Sequence, residues 1–109
     1  MVRMVAEWSL PTGQVRAVTA ALHSLVAEVR TEHGWLGCSV SADITNLATV
    51  CYVEKWQTEE DLRRRLQSDA FFHFVALIES SNQPPRVEFM LPHEVRGLDF
   101  AEEARRSAP

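Results

Sequence analysis

Cysteine is scarce in this sequence: Cys38 and Cys51 are the only two in 109 residues, and no Cys-x-x-Cys spacing occurs. That excludes a disulfide scaffold, a thiolate zinc site and a dithiol redox motif. Lying on two different predicted strands, both are expected to be buried thiols. His23, His33 and His93 lack the i,i+3 or i,i+4 spacing that sets two metal ligands on one helix face, so no metal site is expected and the three read as surface residues. Basic charge is also in short supply, with 11 Lys and Arg against 15 Asp and Glu and a net charge of -4. Only Arg63, Arg64 and Arg65 run together. Because they follow Glu59, Glu60 and Asp61 at i,i+4 spacing, they read as a solvated helix face and not as a phosphate footprint. Nucleic acid is therefore not an expected partner. No long apolar run occurs, and residues 1–10 alternate, which excludes a signal peptide and a membrane span there and makes the cytoplasm the expected location.

What is present is ordinary globular material, 46% hydrophobic and 24% charged, which predicts a chain that folds as one domain. Val2, Met4, Ala6, Trp8 and Leu10 fall on one side of a period-two pattern and predict a first strand. After Pro11-Thr12-Gly13, the positions Val15, Val18, Leu22, Leu25 and Val29 recur at steps of three and four, the stripe of an amphipathic helix that Gly34 is expected to end. Leu36, Cys38 and Val40 alternate, a turn is expected at 43–46, and residues 49–56 are rich in strand formers, so these make a hairpin. Thr58 and Asp61 form a capping-box pattern, and Ser68-Asp69 offers a second cap before Phe71, Phe74, Val75 and Ile78. Two short helices or one kinked helix follow, stopped at 82–85. Val87, Phe89 and Leu91 predict the last strand. The order is β-α-β-β-α-β, an α+β, ferredoxin-like unit with a four-stranded antiparallel sheet over residues 1–97, followed by a short charged tail of helical character at 98–109. Helices on one face would leave the other face bare, which a symmetric dimer would cover.

Val53-Glu54-Lys55-Trp56 closing a strand, Thr58-Glu59-Glu60-Asp61-Leu62 opening a helix, Leu66-Gln67-Ser68-Asp69-Ala70-Phe71, Pro84-Pro85-Arg86-Val87 and Gly97-Leu98-Asp99-Phe100 succeed one another along nearly the whole chain. Together they resemble antibiotic biosynthesis monooxygenase domains. The resemblance implies a homodimeric α/β barrel and, as in quinol monooxygenases, a cofactor-free oxidation of a small aromatic phenol or quinol by molecular oxygen. Tyr52 stands where aromatic oxygenases of that family carry asparagine, and Arg65 to Phe71 lacks the two histidines of its quinol-type members. Arg65 and Val75 replace the tryptophan and the iron-binding histidine of its haem degraders.

Tyr52, Glu54 and Trp56 alternate and must project from one strand face, a phenol, a carboxylate and an indole together. They are either core residues or a pocket wall. In the pocket reading Trp56, Phe71, Phe74 and Trp8 shape the cavity, Glu54 lines it, Tyr52 bonds the substrate oxygen and stabilises its anion, and His73 or water takes the proton. The alternative is a non-catalytic dimeric small-ligand-binding domain of the same fold.

Overall fold

A computed structural model describes residues 1–44, 47–79 and 83–107. The chain runs β1 (Val2–Pro11), a 3-10 turn, α1 (Val15–Val29), β2 (Trp35–Ile44), β3 (Leu47–Trp56), α2 (Glu59–Leu66), α3 (Asp69–Glu79), β4 (Arg86–Met90), β5 (Val95–Arg96) and α4 (Leu98–Arg106). The expected α+β order is present, with one addition: the antiparallel sheet has five strands, ordered β2-β3-β1-β4-β5. The extra strand forms because the Leu91 amide bonds to the Glu94 carbonyl at 2.9 Å and turns the chain back along β4. Two residues are too few to show alternation in a sequence. Thr45 and Asn46 of the expected turn and Asn82 of the expected helix stop lie outside the described residues.

Alternation decides which side of the sheet is core. Val2, Met4, Ala6, Trp8 and Leu10 of β1 are buried, and so are Val50, Tyr52, Glu54 and Trp56 of β3, because α1, α2 and α3 lie over that face. Register sets small against large: Ala6 faces Tyr52 on one side and Val87 on the other, while Met4 lies between Glu54 and Phe89. From the helices come Leu22 and Val29, Leu62 and Leu66, Phe71, Phe74 and Ile78. Each such side chain removed from water contributes about 1.5–3 kcal/mol. The helix α4 adds to the same core through Phe100, Ala101 and Ala104, with the guanidinium groups of Arg63 and Arg96 at 4.6 and 5.5 Å from the Phe100 ring centre.

The cysteines are not buried as expected. Cys38 is exposed, because β2 is the edge strand and the helices do not reach over its outer rim, and Cys51 is half-buried because it points to the open face of the sheet. The end of α1 also differs. It closes at Val29, and Gly34 stands beyond it as a turn residue with φ +86° leading into β2.

That turn is held by the start of α2. The Thr58 hydroxyl accepts from the Asp61 amide at 3.1 Å, as the capping pattern predicts, and donates to the Asp61 carboxylate at 2.7 Å. Asp61 also lies 3.0 Å from His33 Nδ1 and 3.1 Å from Arg64 Nη1. The bonds from His33 and Thr58 hold its carboxyl down at about 2. The Gly34 carbonyl accepts from the Gln57 amide at 2.8 Å, and a Cβ on Gly34 would run into the Asp61 carboxylate. Gly34→Ala is therefore expected to cost at least about 1–2 kcal/mol for the left-handed backbone alone, with a further loss as Asp61 leaves its partners. Urea unfolding measures this; a midpoint equal to wild type would show that the turn and the α2 cap are not coupled.

Candidate active site

Between the sheet and the helices lies a polar group where an apolar core is expected. The Glu54 side chain has no exposure to water, and neither of its oxygens is left bare. Arg65 Nε donates to Oε1 at 3.0 Å and Arg65 Nη2 to Oε2 at 3.1 Å, a two-pronged pair. Trp56 Nε1 donates to Oε1 at 2.9 Å, and the Tyr52 hydroxyl donates to Oε2 at 2.7 Å. The i,i+2 spacing of β3 sets the phenol and the indole on either side of the carboxylate. Burying a carboxylate is costly, and only a paired cation with further hydrogen bonds offsets it.

Arg65 reaches Glu54 because of the break between α2 and α3. The Ser68 hydroxyl accepts from the Phe71 amide at 3.2 Å, capping α3, and donates to the Arg65 carbonyl at 2.6 Å. The break turns Arg65 inward, where it is 1% exposed and passes 5.6 Å from the Phe71 ring centre. The solvated face expected of the three arginines is thus corrected. Arg63 pairs with Glu59 at 3.1 Å and Arg64 with Asp61 at 3.1 Å, both near the surface, while Arg65 leaves the expected Asp61 for the interior.

Of the candidate site residues, Tyr52, Glu54 and Trp56 meet in this network. Phe74 lies 5.1 Å from the Tyr52 ring, and Trp8 meets Phe74 edge-on at 6.3 Å. Phe71 sits 6.2 Å from Phe74. Trp35 closes the end of the group edge-on to Trp56 at 5.4 Å. His73 is exposed, 6.3 Å from Phe72, and has no bond to the network. Trp35 was not singled out from the sequence, and Arg65 was assigned there to a solvated face and not to the site. The available signal was a carboxylate at an inward position of β3, which demands a buried cation.

The network is closed to water, and one groove lies beside it. Between α1 and β2 lies a concavity of about 340 Å³ lined by Thr19, His23 and Val26 from the helix and by Cys38, Val40 and Ser41 from the strand. Cys38 pairs with Glu54 across the sheet and Val40 with Tyr52, so the groove lies beside the network. Although Cys38 is exposed as a residue, partial burial of its thiol, and then the Glu54 charge, push its pKa up. Burial and the Glu54 charge push the Tyr52 phenol up much further. A second cleft of about 200 Å³ between α3 and α4, lined by Phe71, Phe72, Val75, Leu98 and Ala101, does not reach the carboxylate. Among the described residues, no cluster suited to a metal ion occurs and no helix is long and apolar enough to cross a membrane.

Solved structures of the same fold are numerous. A conserved protein from Methanosarcina mazei Go1 superposes with a TM-score of 0.71 at 23% identity, covering 83% of this chain and 90% of that one. A structure described as an antibiotic biosynthesis monooxygenase gives 0.67 at 21% identity, with 83% and 96% covered. A protein from Shewanella oneidensis gives 0.68 at 25% identity, with 86% and 90% covered. These define the class as an α+β domain of the ferredoxin-like kind. The family follows from the sequence: residues 1–77 match antibiotic biosynthesis monooxygenase, and the chain belongs to that family. Among curated proteins there is no match.

The ion pair yields a stability test. Arg65→Met leaves the Glu54 carboxylate buried without its cation and is expected to cost about 3–5 kcal/mol. Adding Glu54→Leu is expected to recover most of that loss, since a well-packed apolar pair replaces a charged one at little cost. Urea unfolding of both single variants and the double variant closes the cycle. A double variant no more stable than Arg65→Met would argue against the pairing.

Proposed function

We propose that the protein is a cofactor-independent monooxygenase that oxidises a small aromatic phenol or quinol with molecular oxygen in the groove between α1 and β2. The observation that carries this reading is the juxtaposition of an open groove with a fixed, dry polar network, set side by side by the register that pairs Cys38 with Glu54 and Val40 with Tyr52. Family membership agrees with it. A phenol with a free ring position and one dioxygen become a quinone and water, so one oxygen atom enters the ring, the other leaves in water, and no outside reductant is needed. In this scheme Tyr52 has a changed part. Its proton is committed to Glu54 and its side chain is buried beside the groove, so it braces the wall and does not itself bond the substrate oxygen. Trp8, Trp56, Phe71 and Phe74 wall the network, which keeps its dipoles fixed.

One observation favours a second reading, a non-catalytic domain that binds a small ligand: the network satisfies every one of its own buried polar atoms and has no partner left wanting. Purified protein incubated with quinols and anthrone-like phenols in an oxygen electrode separates the two. Oxygen uptake with quinone formed in equal amount supports the oxygenase. Phenol that binds and is recovered unchanged, with no oxygen consumed, supports the binding domain.

The open face of the sheet is where a second copy would sit. Val5, Cys51, Val53 and Met90 are only half-buried there, beside Glu7, Arg86 and Glu88, and apolar strand residues left in water favour association. Sedimentation equilibrium is expected to give twice the chain mass, and Val53→Glu to give the single chain. A monomeric wild type would remove this part of the proposal.

A further inference from the structure

Oxygen chemistry without a cofactor needs a phenolate, because the anion and not the neutral phenol is electron-rich enough to reduce dioxygen. Some group in the groove must therefore take a proton. The polar network beside it supplies none. Tyr52 already donates its proton to Glu54, and burial raises its pKa, so it does not supply a phenolate oxygen as a base. Glu54 has both oxygens engaged by Arg65, Trp56 and Tyr52 and is buried, so neither oxygen faces the groove. Cys38, with its thiol pushed up, is held protonated at neutral pH. The Thr19 hydroxyl is committed to the Val15 carbonyl at 2.8 Å.

One side chain of the groove remains. His23, on α1, lines it across from Cys38, and it is exposed, so a proton that it takes can pass on to solvent. Imidazole is the side chain whose ordinary titration falls between pH 5 and 8. We infer that His23 is the general base of this groove, an inference that rests on the oxygenase reading. The substrate O–H bond breaks, its electron pair stays on oxygen, and the proton forms an N–H bond on the imidazole. The phenolate so formed lies against the β2 wall.

The surroundings leave His23 free for this. On its own helix, the residues one turn away are Thr19, Ala20, Val26 and Ala27, none of them charged. From β2, Cys38 is the titratable group that shares the groove. Asp69, His73 and Glu79 of α3, which also packs on α1, do not line it. His73 therefore has no route to the same ligand, and the two histidines make distinguishable predictions.

His23→Gln changes an exposed side chain, so the fold is expected to survive, which circular dichroism checks. With a quinol that the protein oxidises, the variant is expected to lose on the order of 10²-fold in kcat/KM and the acid limb of its pH–rate profile, with added imidazole restoring part of the rate. His73→Gln is expected to leave both unchanged. A second measurement does not depend on turnover. In wild type, 4-nitrophenol is expected to shift the imidazole resonances of His23 but not those of His33, His73 or His93, and to ionise on binding more than it does in His23→Gln. Unmoved His23 signals, or equal ionisation in the two proteins, overturns the inference whether or not oxygen is consumed. A His23 response in a protein that consumes no oxygen overturns the oxygenase reading alone.

Discussion

A carboxylate without water must be paired, and this requirement governs the middle of the molecule. Glu54 sits on the inward face of β3, where its neighbours across the sheet are Met4 and Cys38. Nothing on those strands neutralises it. The cation has to come from a helix, and it has to arrive in the plane that meets both oxygens, which a guanidinium does and an ammonium does not. The break at Ser68 between α2 and α3 meets that demand: it ends one helix with Arg65 pointing inward and starts the next with the phenylalanines that enclose it. Removing either charge alone would leave the other stranded in an apolar interior, so the sheet and the helical layer are locked in one relative position.

The same pairing decides what the site can do. A hydrogen-bond chain has a direction, and here the protons of Tyr52, Trp56 and Arg65 all aim at Glu54. The network therefore keeps its donors turned inward, and the side chains that face the neighbouring groove come from α1 and β2. A family fold supports many chemistries, and this arrangement of donors, not the fold, bears on which one is used.

Much of the architecture was legible because it rests on periodicity. The inward set of β1, the stripe of α1 and the caps at Thr58 and Ser68 are each local signals, and each local signal agrees with the tertiary structure. The site was less legible because its decisive contact is not local. Arg65 has an acid four residues before it, so helix rules alone assign it to Asp61; Asp61 instead takes His33, Thr58 and Arg64. Cys38 alternates correctly yet lies on an edge strand, and strand order is a property that alternation does not carry. His23 is exposed, as expected of a surface histidine, but that it lines a groove was not legible, because the facing strand lies fifteen and more residues further on.

These two failures of local reading have one physical source. Residues of an interior network are chosen by what the network lacks, and residues of a groove by what lies across it, so neither choice leaves a pattern along the chain. A buried carboxylate is the exception, because its need can be stated before the partner is known: on a strand face otherwise made of Val50, Tyr52 and Trp56, Glu54 requires a cation. The candidates were few. Lys55 points to the other face of its own strand and Arg64 lies opposite Leu62 and Leu66, while Arg63 and Arg65 flank that buried stripe equally, and the break at Ser68 is what turns Arg65 inward. Polar exceptions on an apolar face thus constrain tertiary structure more tightly than the apolar pattern around them.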